Sequence, residues 1–247
     1  MGFEDHFGDV SASYASARPG YPAALFDWLT ERAPRRRLAW DCACGTGQAS
    51  RALAERFEMV IATDASLALV ARSTGAPRLE YAAAEAGAVP IAGGTVDLIT
   101  VGQALHWFAG DPFWTEVRRV AAPGALLAVW TYALPRLGGE LESAMLRFYS
   151  GPVGSWWPPE RQLVMEGYRS LELPFRELPV PRFEMVADWD LARFLTFLRS
   201  WSATARFIRA KGYDPVAGVE DELGSLWGPP GEIRRVVWPL TVRAARV

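Results

Sequence analysis

The sequence predicts an α/β fold, a doubly wound and mostly parallel sheet with a helical, Trp-rich region appended. Three observations predict it. Five short strand patterns alternate with helical ones between Arg37 and Tyr132, joined by short links. The first strand ends at Asp41 and runs into a turn with two glycines, then a helix. Past Pro135 the alternation stops, and the chain becomes rich in proline and tryptophan, with Trp156, Trp157, Trp189, Trp201, Trp227 and Trp238. The 247 residues, half of them apolar and 22% charged, suffice for one α/β core with an added lid.

The elements follow in order. Residues 1–20 read as a Ser-, Ala- and Gly-rich arm ending in Arg18-Pro19-Gly20-Tyr21-Pro22, and Pro22 starts a helix. Leu25, Trp28 and Leu29 give that helix one apolar face. Arg37 to Asp41 is a strand, Ala49 to Phe57 a helix, and Met59 to Asp64 an apolar run of the kind buried on both faces of a parallel sheet. A helix from Ser66 to Ser73 leads to strands Leu79–Ala83 and Val96–Val101. Phe113 to Val120 is a helix closed by the turn Ala122-Pro123-Gly124, and Ala125 to Tyr132 is the fifth strand. Beyond it, Glu177 to Val186 reads as a sixth strand and Leu191 to Lys211 as one helix. Strand-like Val236-Val237-Trp238 and Leu240 to Arg243 return the chain to the sheet. The expected division is 1–132 for arm and core, 133–232 for a lid and substrate region, and 233–247 for the returning strand.

Composition excludes several classes. A net charge of −2 lacks the basic excess of a nucleic-acid footprint, and Arg35-Arg36-Arg37 reads as a solvated link. Cys42 and Cys44 are too close for an unstrained disulfide, and with only His6 and His106 a Cys/His metal site is not expected. The acidic opening MGFEDHFGDV does not read as a leader, and no apolar run approaches a membrane span. The expectation is a cytoplasmic protein with no membrane, nucleic-acid or metal partner; its oligomeric state stays open.

The chemistry starts at DCACGTGQ, residues 41–48. Gly45 and Gly47 between a strand and a helix let the backbone approach a ligand, and Asp64, 19 residues after Gly45, stands where a carboxylate accepts ribose hydroxyls. Asp41 decides which ligand. An acid at the strand end repels a pyrophosphate docking on the helix N-terminus. S-Adenosylmethionine (SAM) has no phosphate and carries a sulfonium and an ammonium, so an acid suits it. Ser50, where a dinucleotide site wants Gly or Ala, points the same way. The alternatives are a nucleotide-dependent oxidoreductase and a SAM-binding protein without catalysis.

These residues resemble a class I SAM-dependent methyltransferase: D-x-x-x-G-x-G, an acid ending the second strand, and Ala84-Glu85 after the third. Val101 to Phe108 (VGQALHWF), Arg18 to Pro22 and Trp238-Pro239-Leu240 are similar to the type 11 group that includes the trans-aconitate methyltransferases. The resemblance implies a Rossmann-like fold and SAM as cofactor. It implies that Asp41, Ala43, Gly45 and Gln48 surround the methionine part, Asp64 holds the ribose, Ala65 lies beside the adenine, Ala84 and Glu85 at its amino edge, and Gln103 near the methionine or ribose. One departure is Ala43, where the family often has Gly; alanine suits a negative φ there.

The implied reaction is methyl transfer to a small molecule, at a carboxylate or hydroxyl oxygen. A carboxylate needs no base, whereas an alcohol or phenol does. His106, just past the fourth strand, reads as that base, as a donor to the acceptor, or as a residue packed beside Trp107 and Phe108. Tyr14 and Arg18 lie on the arm, and Arg18 suits a substrate carboxylate. Trp156, Trp157 and Tyr168 read either as an aromatic substrate wall or as lid packing. Trp156-Trp157-Pro158-Pro159-Glu160 is no nucleic-acid amino-methylation motif, because it follows the fifth strand and lacks a preceding Asn or Asp.

Overall fold

Alternation in the strands builds the centre of the molecule. In β1 (Leu38–Cys42), β4 (Val96–Gly102) and β5 (Ala121–Thr131), Ala39, Leu98, Ala128 and Trp130 point into one core. Their neighbours Trp40, Cys42, Ile99, Val101, Leu127 and Val129 point into another on the opposite face. A sheet apolar on both faces needs cover on both, which helices supply. The computed structural model describes residues 19–229 and 231–247. Tyr14, Arg18 and the rest of the arm before Pro19 lie outside the described residues.

The strand order is β3-β2-β1-β4-β5-β8-β6, with β2 spanning Met59–Asp64, β3 Leu79–Ala83, β6 Arg176–Leu178 and β8 Arg234–Arg246. β1 to β5 run parallel; β8 pairs antiparallel with β5 and β6. β7 (Phe183–Trp189) pairs with the first half of β8. Helices α1 (Ala23–Arg32) and α2 (Gln48–Ala54) carry apolar residues of the first core, and α4 (Asp111–Val120) lines the second. The short α3 (Leu67–Ala71) follows β2.

Several elements differ from the pattern reading. The turn Ala122-Pro123-Gly124 is a bulge inside β5: Val96 pairs with Ala121 but Leu98 with Leu126. The strand expected over Glu177–Val186 is two strands, because Pro179 and Pro181 between β6 and β7 have no N–H for a ladder. The helix expected over Leu191–Lys211 is α7 (Leu191–Arg199) and α8 (Ser202–Lys211). Trp201 between them is extended at φ −70°, ψ 139° and turns its indole inward, 5.9 Å from Phe148 and 5.8 Å from Phe197. The hydroxyls of Ser200 and Thr204 donate to the Phe197 and Leu198 carbonyls near the break. The remaining helices, α5 (Gly139–Ser150), α6 (Arg161–Met165) and α9 (Glu220–Trp227), were not apparent in the pattern.

The tryptophans knit this region together. Trp189 packs on Trp238 at 4.8 Å, Trp227 stacks on Phe194 at 5.3 Å, and Trp157 meets Trp201 at 5.5 Å. No helix among the described residues is long and apolar enough to cross a membrane.

Candidate active site

The carboxyl ends of β1 to β4 form one rim, and the turn after β1 is its centre. Cys44 N donates to Thr63 O at 3.0 Å, and Gly45 N donates to Asp64 Oδ2 at 2.8 Å. Asp64 Oδ1 accepts from Ser66 N at 2.9 Å, so two amides fix this carboxylate beneath the loop. Ala65 lies half-buried between them, and Ala84 N donates to Asp64 O at 3.0 Å. Glu85, next along the rim, is exposed. Gln48, the first residue of α2, donates from Nε2 to Pro19 O at 2.9 Å and ties the chain before α1 to the turn.

The turn alternates through the left-handed region: Ala43 at φ +54°, Gly45 at +55° and Gly47 at +81°. A Cβ at Gly47 would meet Tyr81 Oη at 2.0 Å, so a side chain there would have to displace the Tyr81 ring as well as take a positive φ. A Cβ at Gly45 would meet nothing within 4 Å, so space lies over the turn at that point. The negative φ expected at Ala43 is not found. Three of the four non-glycine residues at positive φ among the described residues, Ala43, Gln103 and Tyr168, belong to this rim or the layer below it; Arg78, before β3, is the fourth. Strain of this kind persists only where surrounding contacts enforce it.

Asp41 is buried to 1% exposure, with Oδ2 accepting from Ser50 Oγ at 2.5 Å and Oδ1 from Thr100 Oγ1 at 2.8 Å. Burial pushes its carboxyl up to about 6, against the two hydroxyl hydrogen bonds and with help from the neighbouring Asp64 charge. Its charge is thus presented from below the turn.

Past β4, both ends of the Gln103 side-chain amide bond within the protein. Nε2 donates to Tyr132 O at 2.9 Å, and Oε1 accepts from Tyr132 N at 3.2 Å and from the Thr131 hydroxyl. A short 3-10 turn, Leu105–Trp107, then carries His106, whose Nδ1 is 2.9 Å from Tyr168 Oη. Burial, then the charge of Arg161, lowers the His106 pKa to about 4, so the ring is neutral at ordinary pH. Its Nε2 has no protein partner among the described residues. Tyr168 itself is wholly buried, and burial pushes its phenol up. It lies beneath His106 and is not part of an exposed aromatic wall.

Trp157 and Arg161 are half-buried. The guanidinium lies 4.8 Å over the Trp157 ring and 5.7 Å from the Tyr149 ring, beside an open cavity of about 440 Å³. Trp156 turns away to pack on Phe207 at 5.6 Å. The structure therefore gathers Asp41, Ala43, Gly45, Gln48, Asp64, Ala65 and Ala84 around one turn, with Glu85 exposed beside them. Gln103 and His106 stand past β4. Sequence reasoning missed Thr100, Thr131 and Arg161 and the pairing of Tyr168 with His106; the Gly167-Tyr168 dipeptide was the one local signal available.

The donor set fits SAM. Acids end both β1 and β2, residues 41–48 contain no lysine or arginine, and the space over Gly45 admits a ligand. A pyrophosphate would meet the buried Asp41 charge instead of a cation. Comparison with known proteins agrees. Residues 40–129 match the type 11 methyltransferase domain. A solved structure from Anaeromyxobacter dehalogenans, named provisionally as a type II methyltransferase, is 45% identical, covers 93% of this chain and 97% of its own, and superposes with a TM-score of 0.87. A provisionally named methyltransferase of Dictyostelium discoideum is 28% identical over 225 residues, 90% of this chain and 86% of that protein. An uncharacterised methyltransferase of Mycobacterium tuberculosis is 35% identical over 134 residues, 53% of this chain and 54% of its own length. The chain belongs to the class I SAM-dependent methyltransferases.

Proposed function

We propose that this enzyme methylates an oxygen, carboxylate or hydroxyl, of a small-molecule acceptor. The observation that carries the reading is His106: a neutral imidazole whose Nε2 has no protein partner among the described residues, within the electrostatic reach of Arg161. An amine acceptor arrives as an ammonium; the Arg161 field opposes it, and an imidazole that protonates only near pH 4 does not relieve it of its proton. An anionic or acidic oxygen is favoured by the same field.

Bound SAM supplies an electrophilic methyl group on a sulfonium. In this reading Asp64 would receive the ribose hydroxyls, Ala65 would lie beside the adenine, and Ala84 and Glu85 at its amino edge. Asp41 would act on the methionine ammonium from beneath, with Ala43, Gly45 and Gln48 around that end. Gln103 would contribute through its backbone carbonyl or the second N–H of Nε2, since its backbone N–H donates to Trp130 O and the rest of its amide bonds to Tyr132 and Thr131. Residues 133–232 are assigned to acceptor choice, supported by Trp157, Arg161 and Tyr168 within that span, and Arg18 and Tyr14 to the acceptor from the arm. The net charge of −2 supports a small acceptor over nucleic acid, and the free thiols of Cys42 and Cys44 suit the reducing cytoplasm.

The test is transfer of labelled methyl from SAM to a panel of carboxylic acids, phenols, alcohols and amines, followed by mild alkali. Alkali-labile esters or stable ethers support the reading. Label confined to amines overturns it.

A further inference from the structure

Trp157-Pro158-Pro159 builds one wall of the open cavity of about 440 Å³, a volume within the range of small-molecule pockets. Pro158 and Pro159, which have no N–H to donate, start α6 with their carbonyls: Pro158 O accepts from Arg161 N at 2.9 Å and Pro159 O from Gln162 N at 3.1 Å. The turn sets Arg161 against the Trp157 ring, its guanidinium 4.8 Å over the indole, while Nε donates to Tyr149 Oη at 3.4 Å. The wall behind is braced. Trp157 Nε1 donates to Tyr149 O at 3.2 Å, the two rings lie 4.9 Å apart, and both pack on Trp201. Of the described residues that line the cavity, Arg161 alone is charged; Tyr149, Trp157 and Met165 supply apolar surface, and Ser150 and Gln162 uncharged polar groups.

Arg161 is also a neighbour of His106. Val164, three residues on along the same face of α6, is buried in the second core with Leu105, from the turn that carries His106. α6 packs against that turn, and the Arg161 charge acts on both His106 and Tyr168. One guanidinium thus stands between the cavity and His106. We propose that Arg161, laid on Trp157 and Tyr149, is the subsite for the acceptor's carboxylate, and that the acceptor is an acid with one carboxylate on an aromatic or aliphatic body. The proposal rests on the oxygen-acceptor reading above and narrows its small molecule to an apolar monoacid.

A guanidinium has five N–H donors, enough to keep the Tyr149 contact and take both oxygens of a carboxylate. Resting on the aromatic wall, it is half-buried, and a charge-assisted pair is stronger there than in open water. The number of charges decides against a polyacid. A second or third carboxylate would face Pro158, Met165 and ring carbons, with no other cation among the described lining residues to meet it. An apolar body has the opposite fit: half-buried Trp157 and Met165, 41% exposed, offer it surface to cover. An ammonium is refused by the same charge that takes the acid. Arg161 therefore selects the acceptor.

The test is calorimetric titration of full-length protein saturated with S-adenosylhomocysteine, using cinnamate and octanoate against cinnamamide, octanamide and citrate. Each acid should bind about 10–100-fold tighter than its amide, and citrate should bind more weakly than either acid. Arg161→Gln should abolish the advantage of the acids while amide binding stays within about twofold. Arg161→Lys, a charge without the planar fork, should keep only part of it. Trp157→Leu should weaken cinnamate more than octanoate. NMR of histidine-labelled protein reads the same contact without turnover and shows that each variant is folded, with His6→Gln assigning the two histidines. A carboxylate on Arg161 offsets the charge that lowers the His106 pKa, so bound cinnamate should raise it in the wild type and leave it unmoved in Arg161→Gln. Equal binding of acid and amide, unchanged acid affinity in Arg161→Gln, or citrate bound best overturns the subsite. Labelled methyl reaching amines alone sinks the oxygen reading, while the titrations still judge Arg161.

Discussion

Ser50 donates its hydroxyl to the carboxylate of Asp41 at 2.5 Å, entirely inside the protein. Burial disfavours the charge more than Ser50 and Thr100 favour it, and the carboxyl titrates near 6 in the fold against 3.8 in an open chain. Between those values the folded state binds the extra proton, so its stability is greatest below 3.8 and falls as pH rises through 6. Asp41→Asn should remove that slope. The stability of the variant relative to wild type, from urea unfolding, should rise by roughly 2–3 kcal/mol between pH 4 and pH 7. A pH-independent difference would show that the fold leaves the Asp41 carboxyl at its open-chain value. SAM affinity in the wild type should weaken below pH 6, more than that of S-adenosylhomocysteine, which lacks the sulfonium charge.

Ala43 at φ +54° is the residue whose replacement should improve the fold. A left-handed conformation costs an L-residue roughly 1–2 kcal/mol, partly offset by the greater unfolded freedom of glycine. Ala43→Gly should therefore stabilise by up to about 1 kcal/mol and raise Tm by about 2–4 °C. Ala43→Val, branched at Cβ, should lower Tm. Thermal melts of the three proteins check the order, and a lower Tm for the glycine variant would reject the strain.

Gly45 and Gly47 should fail in different ways. Both sit at positive φ, but a Cβ at Gly47 strikes Tyr81 Oη at 2.0 Å while one at Gly45 enters open space. Gly47→Ala should lose more stability, and Tyr81→Phe in the same chain should restore part of it. Gly45→Ala should keep most of its stability and lose more affinity for S-adenosylhomocysteine, because its new methyl occupies the space over the turn. Equal effects on both readouts would undo the distinction.

The cofactor half of the site was legible because its determinants are local. Asp41, Gly45, Gly47 and Asp64 lie within two strands and one turn, and alternation in β1 and β2 orients them. What escaped depends on sheet register. Thr100 reaches Asp41 from 59 residues away, Tyr168 reaches His106 from 62, and Thr131 reaches Gln103 from 28. No local pattern marks Gln103 as a brace between β4 and β5, so its side chain read as facing the cofactor. The break at Trp201 was hidden for the same reason: no glycine or proline signals it, and the indole turns inward toward partners as distant in sequence as Phe148. The left-handed turn at Ala43 was obscured by its own residue type, which ordinarily marks negative φ.

Gln48 joins two segments that sequence alone keeps apart. Its Nε2 donates to Pro19 O at 2.9 Å, and Gly20 passes so close that a Cβ there would touch the same nitrogen at 4.0 Å. The side chain of the first α2 residue therefore holds the chain leading into α1 against the turn. Gln48→Ala removes that donor and leaves a carbonyl that water can reach, so the global cost should be about 0.5–1.5 kcal/mol. The local cost should be larger: amide exchange should quicken at Gly20 and Tyr21 while β1 and β4 stay protected. Affinity for S-adenosylhomocysteine should fall several-fold, and Gln48→Glu, which offers an acceptor to a carbonyl, should be at least as poor as alanine. Unchanged exchange at Gly20 in both variants would mean that Tyr21, packed at 5.3 Å on Trp130, anchors the segment without help from Gln48.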